Sequence, residues 1–313
     1  MLGKTAGGLL WMFRYLERTE NIARLVETGH RIALTRPDRA ETEWASVLST
    51  AGVRQAFDAA HDDVTAEAVI DWLLRSPDNA SSVLACVESA RMNARTVRTA
   101  LTREVWEAVN ECWMTLRADL SRKVTMRSLP KVLGAIRQRS AFVRGTMHGT
   151  MLRNEIFDFS RLGTFMERAD ATARLLDVKY YVLLPTAAGV GSPLDNAQWE
   201  VILRSVSAEN AFLMVHGRTR RPADIARFLM LDKRMPRSLA FCYKKIGGNL
   251  GYLERDHGIR MPSHDLAEEV CRKLDSASIE SVFEEGLHEF LQDFLRMNAA
   301  LGAQIETDYR FVK

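Results

Sequence analysis

Glu17, Glu20 and Arg24 stand at i, i+3 and i+7, so on a helix of about 3.6 residues per turn they share one side. Glu167, Asp170 and Arg174 repeat the arrangement far down the chain. Two acids and a base on one helical face can do either of two jobs. They can form an internal salt-bridge network that fixes how two helices pack. They can also line a polar pocket, where Arg24 and Arg174 hold the carboxylate of an amino acid or peptide and the acids hold its amine. The surrounding segments repeat as well. Glu17, Arg18, Ala23, Arg24 and Leu25 match Glu167, Arg168, Ala173, Arg174 and Leu175, while Glu20 and Glu27 keep their carboxylates as Asp170 and Asp177. Arg18 lies roughly a third of a turn from the acid-base face, so spacing leaves open whether it or Arg24 points inward.

A fainter echo places Glu88, Ala94, Arg95 and Val97 against Glu17, Ala23, Arg24 and Val26, with Arg91 where the other copies hold an acid. A third charged face there would supply countercharge to the acids. Metal chemistry is poorly supported. Carboxylates on facing helices resemble a di-iron bundle, but neither Glu17 nor Glu167 has a histidine three residues on. The seven histidines form no i, i+4 pair. No strand-Gly-rich-loop-helix unit and no nucleophile pattern occurs, so no cofactor is assigned and any ATP chemistry belongs to a partner. His148 is a candidate general base, because the Gly-broken stretch from Arg144 to Arg153 reads as a kinked junction leading into the second copy. Arg237 and Ser238 follow Pro236 at a helix start, where free backbone N–H groups suit an anion.

The elements that must position these residues are helices. Ala, Leu, Arg and Glu are abundant, Pro numbers only 8 of 313 residues, and no alternating strand pattern is sustained, which predicts an all-α, multi-helix bundle with two pseudo-repeated Glu-Arg core helices. The first helix spans about 5–34. It carries one apolar stripe of Leu9, Phe13, Leu16 and Ala23 and another of Trp11, Tyr15, Ile22 and Val26, so it should be largely buried. Further helices are read at about 41–51, 65–74, 82–101, 102–120, 130–145 and 153–184, with Thr65, Thr102 and Ser81 or Ser82 as caps. Others follow at 196–206, 208–216, 222–231, 236–253 and 278–309. The chain reads as a single helical domain, 1–313, with a possible sub-boundary in the loop 186–193.

The net charge of +3, with acids and bases intermixed, gives no argument for nucleic acid or an anionic membrane surface. Cys86, Cys112, Cys242 and Cys271 form no CxxC pair and read as free thiols of a reducing cytosol. The N-terminus fits neither a signal peptide nor a membrane span, which predicts a cytoplasmic location.

Several motifs in order resemble the alpha-E domain family, over most of the chain. They are the run from Arg14 to Asn21, the run from Ser89 to Arg95 that includes Asn93, Trp106-Glu107, Leu162-Gly163 followed by Glu167 to Asp170, and Leu231-Asp232 with Pro236 to Ser238. One departure is Gly7-Gly8, where the family carries an acid and an amide. The resemblance implies an all-helical fold with a Glu-Arg signature, and partners of two kinds: an ATP-grasp-type ligase and a transglutaminase-like protein, in systems that make or cut amide bonds in small peptides. The chain would then complete the ligase's site or bind its charged substrate. The alternative is an enzyme in its own right, and the third is a structural scaffold. The residues singled out are Arg14, Glu17, Arg18, Glu20, Arg24, Arg91, Asn93, Arg95, Glu167, Arg168, Asp170 and Arg174, with His148, Arg153, Arg237 and Ser238 as secondary candidates.

Overall fold

The computed structural model describes residues 1–35, 39–182, 193–217 and 221–311. Among them are fifteen α-helices and no strand. In chain order these are α1 (Gly3–Thr35), α2 (Ala40–Thr50), α3 (Arg54–Asp58), α4 (Ala66–Leu74), α5 (Val83–Thr96), α6 (Arg103–Asp119), α7 (Leu129–Thr150) and α8 (Glu155–Val182). After them come α9 (Pro193–Ser205), α10 (Glu209–His216), α11 (Pro222–Leu231), α12 (Leu239–His257), α13 (Pro262–Ser276), α14 (Ile279–Glu285) and α15 (Leu287–Asp308). The proposed sub-boundary at 186–193 lies outside the described residues except for Pro193.

Polar caps set several helix starts. The side chains of Thr65, Ser82, Thr102 and Ser238 accept hydrogen bonds from the backbone N–H of Ala68, Ala85, Val105 and Phe241. Each satisfies a donor that the first helical turn leaves free, worth about 1 kcal/mol.

Three sequence expectations are corrected. α7 does not stop or kink near Gly145 but continues through Gly149 to Thr150. An interior glycine weakens a helix by about 1 kcal/mol without ending it. The real break is at residues 151–154, where the Asn154 side chain accepts from the N–H of Ile156 and caps α8. The closing helix is two helices, because Gly286 takes φ = 107°, a left-handed conformation that side-chain-bearing residues avoid. Consequently Phe283 is exposed and not part of the continuous apolar face. α5 ends at Thr96, short of Leu101. α3 and α13 have no counterpart in the sequence reading. α13 buries only Ser263, His264, Ala267, Val270 and Leu274, a stripe too thin to stand out.

α1 is the central element. It packs most extensively on α8 and α5, and also on α7 and α2, while α8 in turn carries α12 and α15 on its other side. Leu9 and Leu10 join an apolar core with Phe159, Leu162, Tyr243 and Phe294. Met12, Phe13 and Leu16 join a second core with Trp44, Phe57 and Leu133. Of the expected stripes, Trp11 and Tyr15 are only partly buried, and the rest are in the interior. Gly163 lets α1 and α8 approach closely: a Cβ there would sit 2.1 Å from the Leu10 carbonyl oxygen. That contact draws together the two helices that carry the charged motifs.

Candidate functional site

Where α1 and α8 cross, each helix's acid binds the other's base. Arg168 donates from Nε and Nη2 to the two carboxylate oxygens of Glu17, both at 2.9 Å. Arg18 does the same to Glu167, at 2.6 and 3.1 Å. Arg14 adds a third bond to Glu167 at 3.0 Å. Forked guanidinium–carboxylate pairs of this kind are directional as well as strong, so they fix the register of the two helices.

The network extends through two residues brought from elsewhere. Arg237, just before α12, reaches Glu17 at 3.2 Å and Glu20 at 2.6 Å. Arg144 of α7 pairs with both of the same acids. Arg24 donates to Glu20 at 2.8 and 2.9 Å and to the Ser205 carbonyl at 3.0 Å. Glu17, Glu20, Glu167, Arg168 and Arg237 are all buried.

Six guanidinium groups therefore surround three carboxylates, an excess of three positive charges, with Arg168 and Arg237 buried and Arg14, Arg18, Arg24 and Arg144 partly exposed. Asp170 and Arg174 pair with each other at 2.6 Å and leave that balance unchanged. Burial works against ionisation of Glu17 and Glu167, but Arg168, Arg237 and Arg144 outweigh it for the first and Arg18 and Arg14 for the second, so both carboxyls titrate below their ordinary range. Glu20 is lowered too: burial and Glu17 raise it, and Arg237, Arg144 and Arg24 overcome them. Burial draws Arg237 down to about 10, so it remains charged at neutral pH.

The sign of the pH dependence follows. Folded-state values below the unfolded value of about 4.3 mean that the contribution of these acids is complete above that pH and is lost as pH falls through the folded values. The unfolding midpoint is expected to drop steeply below about pH 4.3. In a thermal titration Glu167→Gln should start lower at pH 7 and fall less on acidification.

A cavity of about 290 Å³ opens beside this network, walled in part by Arg18, Arg24, Glu167, Asp170, Arg174 and Arg237. Asn21 also faces it. Its side-chain oxygen accepts from Arg237 at 3.0 Å, while its buried Nδ2 donor has no partner. An orphaned buried donor costs about 1–3 kcal/mol, a cost that a bound acceptor would remove.

The structure brings Arg14, Glu17, Arg18, Glu20, Arg24, Glu167 and Arg168 together, with Asp170 and Arg174 at the cavity wall. Both Arg18 and Arg24 point inward. The expected third face does not join them. Arg91 bonds Asn110 at 2.8 Å and lies 4.0 Å over the Trp113 ring, Asn93 donates to the Ser89 carbonyl, and Arg95 is exposed. α5 turns that face away from α8, and the countercharge comes from Arg144 and Arg237 instead. His148 is exposed and sits beside Arg161, and Arg153 donates to the carbonyls of Met151 and His148. Ser238 is a helix cap whose hydroxyl donates to the Asp232 carbonyl and accepts from the Phe241 N–H, and Arg237 joins the network through its side chain. Arg144 was missed. Its signal was a heptad match: Arg137 and Arg144 pair with Glu27 and Glu20, each set seven residues apart on facing helices.

The fold and this site define an all-helical domain built around reciprocal Glu-Arg pairs. A family described as a predicted alpha-helical domain with a conserved ER motif matches residues 1–309, and the chain belongs to this Alpha-E family. It is also similar to uncharacterized proteins of Mycobacterium bovis and Mycobacterium tuberculosis, at 26% identity over 92% of this chain and 34% of theirs. The chain thus spans about a third of the length of these curated relatives. No solved structure matches it. Among the described residues, no helix is long and apolar enough to cross a membrane and no cluster of acids, histidines and cysteines could hold a metal ion.

Proposed function

We propose that the domain holds the carboxylate-bearing substrate of an ATP-dependent amide-bond-forming or modifying system, acting beside an ATP-grasp-type ligase and a transglutaminase-like protein. The observation that carries the reading is the cavity wall, where Arg18, Arg24, Arg174 and Arg237 face only Glu167 and Asp170, with the unpartnered Asn21 amide pointing to an acceptor. A free carboxylate of an amino acid or small peptide fits both. It would neutralise part of the excess and accept from Asn21, while Asp170 at the wall suits the ligand's amine. The ligase and transglutaminase-like partners rest on the family resemblance.

The stand-alone enzyme is the weaker reading. Glu17, Glu20 and Glu167 are locked in ion pairs that keep them ionised, so they are poor proton donors and weak bases near neutral pH. The test uses dipeptides with a free C-terminal carboxylate beside their C-terminal amides, followed by calorimetry. The carboxylates should bind and the amides should not. Arg174→Gln, at a partly exposed position on the cavity wall, should weaken binding about tenfold. Equal binding of acids and amides, or none of either, would overturn the reading, and turnover by the isolated chain would favour the enzyme.

A further inference from the structure

A second cavity of about 250 Å³ lies between α7 and α8, on a different side of the ionic network. α7 supplies Ala141, Arg144, Gly145 and His148, with Met147 beside them. α8 supplies Arg161, Thr164, Phe165 and Arg168. Both sets follow i, i+3, i+4, i+7, so each is one continuous helical face and the cavity is the groove where two such faces meet. No acid lines it. Arg144 and Arg168 form the wall shared with the network, since both are bonded to Glu17.

Arg161 is different. Among the described residues no carboxylate is paired with it, and Asp158, three residues back, attracts it without an ion pair. Its guanidinium lies 4.8 Å from the Phe165 ring centre and 5.5 Å from that of Phe157, which hold its plane in place. One amino group meets His148 Nε2 at 3.4 Å. Since arginine can only donate, that imidazole nitrogen accepts, and the ring is the neutral tautomer protonated at Nδ1. Burial together with Arg161, Arg153, Arg144 and Arg168 lowers the His148 pKa, in accord with that tautomer. The remaining Arg161 N–H groups have no protein acceptor among the described residues. A partly buried cation held over aromatic rings with no ion-pair partner, in a groove that no acid lines, is a site for an anion.

We infer that the α7–α8 groove is an oxyanion site that takes a phosphoryl group, as inorganic phosphate or as a phosphate monoester. Arg144 lines the groove from α7 and Arg161 and Arg168 line it from α8, so positive charge flanks it on two sides. A tetrahedral dianion accepts from all sides, whereas a flat carboxylate accepts in its own plane. The site is independent of the carboxylate cavity: Arg161 and His148 line only this groove, and Arg174 lines only the other.

The test measures inorganic phosphate binding by calorimetry and ³¹P NMR at low ionic strength, on the full chain and on Arg161→Gln, Gly145→Leu and Arg174→Gln. A Cβ at Gly145 meets nothing within 4 Å, so leucine there should fill the groove without a backbone clash. Saturable binding is expected, weakened about tenfold or more by Arg161→Gln and by Gly145→Leu. Arg174→Gln should leave it unchanged. Circular dichroism establishes that each variant folds, and if Gly145→Leu does not, Arg161→Gln decides. Absence of saturable binding, equal binding by Arg161→Gln, or loss only in Arg174→Gln would overturn the proposal. A phosphate monoester run in parallel separates the sources. Tighter binding than inorganic phosphate identifies the phosphoryl group of a larger molecule, and equal or weaker binding identifies free phosphate.

Discussion

Glu17→Ala is expected to cost about 3–5 kcal/mol of folding stability, among the largest losses of any side-chain truncation in the chain. The carboxylate is fully buried and shared by Arg168, Arg144 and Arg237, so its removal leaves three cations facing one another with only Glu20 to answer two of them. Urea unfolding at pH 7 measures the loss. Arg168→Ala should be severe for the converse reason. The double variant Glu17→Ala/Arg168→Ala should lose less than the sum of the two, with a coupling of about 1–3 kcal/mol, because removing both leaves no forked pair to break. A loss under about 1 kcal/mol for Glu17→Ala would place the cluster among hydrated surface pairs, where single ion pairs are worth little.

The second large effect is expected at a residue with no charge. In Gly163→Ala the new Cβ would lie 2.1 Å from the Leu10 carbonyl oxygen and 2.9 Å from its carbon. These are backbone atoms, so no rotamer change relieves the clash and α1 must move off α8. Overpacking costs about 1–3 kcal/mol, and a main-chain obstacle belongs at or above the top of that range. The better helix propensity of alanine recovers only about 1 kcal/mol. Gly163 precedes Glu167 by one turn, so the shift also pulls the forked pairs off register, and carboxylate binding at the first cavity should weaken with stability. Gly134→Ala is the internal control. Its Cβ meets nothing within 4 Å, and it should raise the midpoint. Differential scanning calorimetry of the two variants reads opposite signs.

The helical architecture was legible because apolar spacing and polar caps act locally. Thr65, Ser82 and Thr102 cap the helices they precede, and α11 has the bounds its sequence suggests, whereas the helix read from 236 starts at Leu239 behind the Ser238 cap. Local signals failed where a single backbone angle decides, as at Gly286, or where the buried stripe is thin, as in α13. The acids of the site were equally legible, since an i, i+3 pair in an apolar helix has to be answered by something. Which bases answer is a tertiary fact. Arg91 looked suitable by its place in a repeat, yet α5 directs it to Trp113. Arg144 and Arg237 come from segments with no such repeat. The two charged faces also serve unequally: Glu20 lies in the interior network, whereas Asp170, its counterpart by position, closes a partly exposed pair with Arg174. Equal spacing does not impose equal burial when the neighbouring helices differ.

The separation along the chain of the residues that meet at Glu20 carries a consequence for biosynthesis. Glu20 leaves the ribosome 217 residues ahead of Arg237. At roughly 5–20 residues per second, the acid waits on the order of 10–40 s for that partner. Through that interval Arg24, and later Arg144, are the cations that can answer it. The network closes only when Arg237 has been made, which places its completion late in the order of synthesis.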